Sequence, residues 1–295
     1  MTRQPVYINS IASIHPPCDG VAEWMPGKRL TAVEPDYKQL IPNATLRRRM
    51  SRIVRMGVAA GQMCLSGAPE VQPEAILTAT GMGCLADTEK FMDILLDRDE
   101  EQLTPTAFIQ STFNTVGAQL ALLTGNHSYN TTYVHRAFSF ESALLDALLL
   151  IGEEDAAHVL VGAVDEQTPS LYTILQRLNC WKKAMAGEGS AFFLLSRRQA
   201  KGSFAILQDM EMFSGLFTEG EIRKRMERFL RTNDVTNPDT LYPEEYKRFC
   251  GEYPTAVSFA LWYACLRMRS PEGNRPVLVY NAFFDTHSFI LLKPV

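Results

Sequence analysis

Hydrophobic positions along the chain change period from segment to segment, and each change marks an expected element. Val6–Ile14 (VYINSIASI) is rich in β-branched residues and is followed by the turn cluster HPPCDG, which predicts a first strand. In Thr45–Ser66, Met50, Ile53, Val54, Val58 and Met63 fall near helical spacing behind a run of arginines, so one helix with a basic entrance is expected. A buried strand (Ala75–Thr80), a glycine turn and a helix come next, and Pro105–Asn126 reads as a helix stopped by Gly125-Asn126. Tyr133–Glu166 predicts a β-like run, a small turn, an apolar helix and a second buried strand. Gly187–Arg198 and Ser203–Phe213 read as adjacent strands, Thr218–Arg231 as a charged amphipathic helix and Glu252–Arg269 as a largely buried one. PVLVYNAFF and SFILLKPV are expected to close the chain as two strands. This alternation predicts an α/β protein, with a mostly parallel or mixed sheet covered on both faces.

Composition narrows the function classes. Hydrophobic residues make up 46% of the 295 positions and charged residues 21%, the balance of an ordinary globular chain. A net charge of −4 and short basic clusters argue against a nucleic-acid partner. The six cysteines (Cys18, Cys64, Cys84, Cys180, Cys250 and Cys265) lie far apart, with no C-x-x-C pair or nearby histidines at ligand spacing, so no metal site is expected. No apolar run has the ~18 residues of a membrane span, and MTRQPVYINSIASI lacks the features of a signal peptide. A cytoplasmic protein with reduced thiols is the expectation.

Five segments, in order, carry a family resemblance: TATGMGCL, a glycine turn after an early strand; PTAFIQSTFNTVGAQLALLTGN, with Asn114; the gapless stretch from Ala137 through VLVGAVDE; GEGSAFFLL; and NAFFDTHSFILLK. Together they resemble the β-ketoacyl synthases, condensing enzymes of the thiolase-like superfamily. The resemblance implies two similar βαβαβ-type halves in a layered α/β/α/β/α arrangement. Residues 1–170 would form the N-terminal half and 171–295 a shortened C-terminal half, within one unit.

Decarboxylating condensation needs a thiolate at a helix N-terminus, and in this family two histidines that hold the thioester oxygen. Laid on the family pattern, the nucleophile position holds Ala137, flanked by Arg136 and Phe138. Ser139, two positions on, lacks an adjacent base and is expected to cap a helix starting near Glu141. The family's K-x-x-x-G-H pattern resembles KRFCGE, placing Lys247, Gly251 and, instead of histidine, Glu252. A carboxylate there would repel the enolate. The H-G-T-x-T motif has no counterpart; the nearest segment, Thr232–Thr240, contains no histidine. Outside the pattern, Cys250 is the thiol nearest this site and reads mainly as a small buried hydrophobe. His287, in the closing loop, is a candidate pocket residue; His15, His127, His135 and His158 read as structural or solvated.

Three functions follow. The first is a catalytically silent ketosynthase homologue of the chain-length-factor kind. It would pair through Tyr129–His135 with an active β-ketoacyl synthase in fatty-acid, polyketide or aryl polyene/flexirubin-type biosynthesis, with Arg136, Phe138 and Phe140 filling the space of an acyl channel. The second is a divergent condensing enzyme or acyltransferase using Ser139 or Cys250. The third is a homodimeric acyl or acyl-carrier binding protein. No cofactor is expected; the phosphopantetheine thioester of an acyl carrier protein is the expected substrate or ligand. RRRM (Arg47–Met50) and Arg223–Arg231 are basic enough to meet an acidic carrier, although a solvated helical face accounts for either.

Overall fold

The computed structural model describes residues 4–18, 24–97, 105–270 and 274–295. Asp19 and Gly20 of the expected HPPCDG turn lie outside the described residues. In chain order, the first half contains β1 (Val6–Ile14), α1 (Tyr37–Leu40), α2 (Ala44–Arg49), α3 (Arg52–Ser66), β2 (Ala75–Ala79) and α4 (Leu85–Asp97). It continues with α5 (Pro105–Ser111), α6 (Thr115–Thr124), β3 (Tyr129–Tyr133), α7 (Ser139–Gly152), β4 (His158–Asp165), α8 (Pro169–Arg177) and β5 (Gly189–Ser196). The second half contains β6 (Ala205–Ser214), α9 (Glu219–Thr232), β7 (Asp239–Leu241), α10 (Pro243–Cys250), α11 (Ala256–Met268), β8 (Val277–Phe283) and β9 (Thr286–Lys293).

The strands form one nine-stranded mixed sheet in the order β3-β2-β4-β5-β1-β6-β9-β8-β7. Read outward from the β1–β6 junction, the two sides follow the same scheme: β1-β5-β4-β2-β3 against β6-β9-β8-β7. The expected two-fold repeat is therefore present, and among the described residues the second half has no strand matching β3. β5 pairs antiparallel with β4 along its whole length.

Side-chain alternation along the strands sorts the core into layers. Val159, Val161, Ala191, Phe193, Val279 and Ile290 share one core with α7, α10 and α11, while Leu160, Phe192 and Leu194 face α3 and α6. Leu278, Phe289 and Leu291 face α9. The layers thus run α3/α6, first-half sheet, α7/α11, second-half sheet, α9: the α/β/α/β/α arrangement. The middle helices are apolar on most of their circumference because sheets cover both sides; Phe140, Ala143, Leu144, Ala147 and Ile151 of α7 are fully buried.

Three local expectations are corrected. Thr45–Ser66 is two helices, broken by extended backbone at Met50 and Ser51, which sends Met50 into the core and leaves Arg48 and Arg49 in solvent. Pro105–Asn126 also divides, where the Thr112 and Thr115 hydroxyls take the Ile109 carbonyl from the helix ladder. β5 and β6 are not neighbours, since β1 inserts between them and pairs antiparallel with both. The segments forming α8, β7 and α10 are elements that periodicity alone did not mark.

Asp165, at the end of β4, is fully buried and accepts four hydrogen bonds: Thr80 Oγ1 (2.9 Å), Gly81 N (2.8 Å), Thr255 N (3.1 Å) and Thr255 Oγ1 (2.7 Å). It joins the end of β2, its glycine turn and the start of α11. Asp165→Ala would strand two backbone N–H groups. We expect a loss of about 3 kcal/mol or more, read as a lower urea midpoint with an unchanged slope.

Candidate functional site

The site lies where β3 and α7 meet the second half. After Tyr133 the chain turns through Val134–Phe138 with left-handed backbone at Arg136 (φ 59°) and Phe138 (φ 64°), conformations that carry strain in non-glycine residues. Ala137 sits half-buried between them. Ser139 is completely buried; its Oγ accepts from His135 N (2.8 Å) and donates to the Arg136 carbonyl (3.1 Å). The helix starts at Ser139, not near Glu141, so the hydroxyl braces the turn and Phe138 occupies the cap position.

The second half adds the end of α10. Gly251 (φ +76°) and Gly187 approach so closely that a Cβ on either would overlap the other's backbone, which only glycine permits. The contact holds Glu252 in place: its N–H donates to Met185 O (2.7 Å) and its carbonyl accepts from Gly187 N (3.1 Å). The buried Lys247 ammonium donates to both Glu252 carboxylate oxygens (2.8 and 2.9 Å) and to the Ala282 carbonyl (2.6 Å). The Glu252 charge is thus balanced within the protein, a pairing that the sequence reading, which treated this carboxylate as an isolated negative charge, did not foresee.

Between these parts lies a cavity of about 380 Å³. Leu171 and Leu175 of α8, Trp181, Met82 and Pro254 form an apolar wall; Asp165, Glu166 and Glu252 form an acidic side; Arg136 and Phe284, both exposed, stand at the opening. Burial pushes the Glu166 carboxyl up to about 7, with Asp87 and Glu188 adding to the effect and the Ala86 N–H and Arg52 opposing it. Inward of the glycine turn, beside Cys84, Phe113 and Val116, the interior leaves only about 10 Å³, roughly one water. Among the described residues no group of three or more His, Cys, Asp or Glu side chains is placed to hold a metal ion, and no helix is long and apolar enough to cross a membrane.

Residues 22–205 match the family described as beta-ketoacyl synthase, N-terminal domain. The chain belongs to the beta-ketoacyl synthase family. Solved structures share its fold at low identity. One is a chain of the AntDE:AntF complex, a type II PKS acyl-carrier protein with its ketosynthase bound to the hexaketide: TM-score 0.82, 14% identity, covering 99% of this chain and 100% of that one. Another is from the ishigamide ketosynthase/chain length factor: TM-score 0.75, 13% identity, covering 99% of each chain. A third is a beta-ketoacyl synthase from Burkholderia phymatum STM815, with TM-score 0.73 and 13% identity over 100% of both chains. No curated protein matches the chain in sequence.

Within this ketosynthase fold, the structure brings together Arg136, Lys247 and Glu252, with Ala137 in the adjoining turn. Phe140 is a core residue packed on Phe193 and does not line the cavity, and Asn114 is exposed at the start of α6 with no side-chain capping bond. Cys250 is fully buried, its thiol pushed well above the ordinary range by burial, and neither it nor Ser139 lines the cavity. His287 is also away from the cavity, stacked between Phe213 and Tyr280, with its ring nitrogens bonded to Tyr280 Oη (2.9 Å) and the Gly215 carbonyl (3.3 Å). Sequence reasoning missed Glu166, Leu171, Leu175 and Trp181. Thr168-Pro169, a cap followed by an N1 proline, was the available signal for α8, with Leu171 and Leu175 four apart on one face.

The folded Glu166 carboxyl binds its proton more tightly than the unfolded one. Its contribution to stability is therefore full below about pH 4.5 and is lost as the pH rises to about 7. Glu166→Gln should match the wild type near pH 4.5 and exceed it by about 1–3 kcal/mol above pH 7, measured as unfolding free energy across the pH range.

Proposed function

We propose that this chain is a non-catalytic ketosynthase homologue that pairs, as a chain-length factor does, with an active β-ketoacyl synthase in the cytoplasm, in fatty-acid, polyketide or aryl polyene/flexirubin-type biosynthesis. The observation that carries the reading is the turn itself. It has the strand, the strained corner and the helix of a nucleophile site, and its central side chain is the methyl group of Ala137. A methyl carbon cannot attack a thioester, and Ser139 is committed to the turn's backbone. The Lys247–Glu252 pair stands where the family pattern has a histidine, so no neutral donor is offered there to an enolate oxygen.

Pairing is supported by the edge of the sheet. β3 bonds to β2 on one side, and among the described residues no strand lies on its other side. Exposed apolar side chains flank that edge: Leu122 on α6, 72% exposed, and Leu145 and Leu149 on α7. An open strand bordered by apolar surface is a pairing template, and one of the structurally similar proteins is a ketosynthase/chain length factor. An acyl carrier protein would then deliver its thioester to the partner's nucleophile.

Co-expression with a ketosynthase encoded nearby tests the proposal. The two chains should co-purify, and Leu149→Glu or Leu122→Glu, both at exposed positions, should weaken the pair by about tenfold or more. A chain that remains a monomer or homodimer would falsify the pairing. Incubation with acyl-carrier or acyl-CoA thioesters should leave the intact mass unchanged; an adduct lost in Ser139→Ala or Cys250→Ala would establish the enzyme instead.

A further inference from the structure

The cavity's acidic side chains are already matched, and its cation is not. Asp165 accepts four internal hydrogen bonds, and Glu252 holds Lys247. Glu166 accepts from the Ala86 N–H (3.3 Å) and is half neutral near pH 7. Among the described residues, the Arg136 guanidinium at the opening has no ion pair or side-chain hydrogen bond. Opposite this charge run the apolar faces of Leu171, Leu175 and Trp181. A volume of about 380 Å³ lies within the roughly 300–1,000 Å³ typical of small-molecule sites.

We propose that this cavity binds a free amphiphile with an oxyanion head and an alkyl or aryl body: the body along α8 and Trp181, the carboxylate or phosphate on the fork of Arg136. A guanidinium suits such heads because its planar donors meet two oxygens at once. The cavity volume of about 380 Å³ limits the length of body it can hold. No covalent step is involved, and binding of this kind needs no partner subunit, so it can fail or hold independently of the pairing with a ketosynthase.

Calorimetric titration of the purified chain with decanoate, decyl phosphate and decanol tests the site. At least one of the two anions should bind at one site per chain about tenfold or more tightly than decanol. The preferred anion distinguishes a carboxylate from a phosphate head. Arg136→Asn, which keeps a residue tolerant of left-handed backbone, should reduce anion binding to the level of decanol. Leu175→Trp, which fills the cavity, should abolish binding of all three at an unchanged melting temperature. Decanol binding as tightly as both anions, anion binding unchanged in Arg136→Asn, or no saturable binding of either anion would each overturn the proposal. The Arg136 variant, altered at an exposed position, still decides the question if the Leu175 variant does not fold.

Discussion

The buried Asp165 carboxyl is where the halves of the molecule are tied together. It sits at the end of β4 and receives donors from the end of β2, from the glycine turn and from the first turn of α11. Burial alone would drive this group to its neutral form, and the four donors oppose that shift. A carboxyl so placed cannot move without leaving donors unpaired in an apolar interior. The glycine turn, the start of α11 and, through Pro254, one wall of the cavity therefore keep a fixed relation.

On this tie rests a repeated plan whose copies have diverged. The central layer of α7 and α11 is covered by sheet on two sides, which demands small and apolar side chains at nearly every position. The outer layers are less constrained, and the differences concentrate there. Among the described residues, the first half carries α4, α5, α6 and the edge strand β3, whereas the second carries only α9 over β6, β9 and β8 and ends at the short β7. The long open edge with apolar surroundings consequently belongs to the first half.

At the site, the decisive feature is the destination of each charge. Lys247 and Glu252 satisfy one another and the Ala282 carbonyl, so two charged groups leave the cavity nearly unpolarised at that end. The close approach of Gly187 and Gly251 makes this arrangement rigid, since neither residue has room for a side chain. What remains is a recess with an apolar wall along α8 and Trp181 and with Arg136 at its opening.

The family resemblance was legible because the order of glycine turns, strands and the closing hairpin is local information, carried by residues close in sequence. The methyl group at Ala137 and the absence of a histidine at Glu252 could be read in the same way, since they depend only on which residue stands in a pattern. The break at Met50, which sends that side chain into the core, and the insertion of β1 between β5 and β6 depend on contacts between distant segments. So does the role of Glu252, whose charge looked repulsive until Lys247 was found beside it, and that of His287, which stacking draws into the outer core of the second half. The sequence by itself determined the family and which residues stand in its motifs, Ala137 and Glu252 among them. Only the tertiary structure decided where the cavity lies and which of its charges is unmatched, because burial and pairing are properties of neighbours in space.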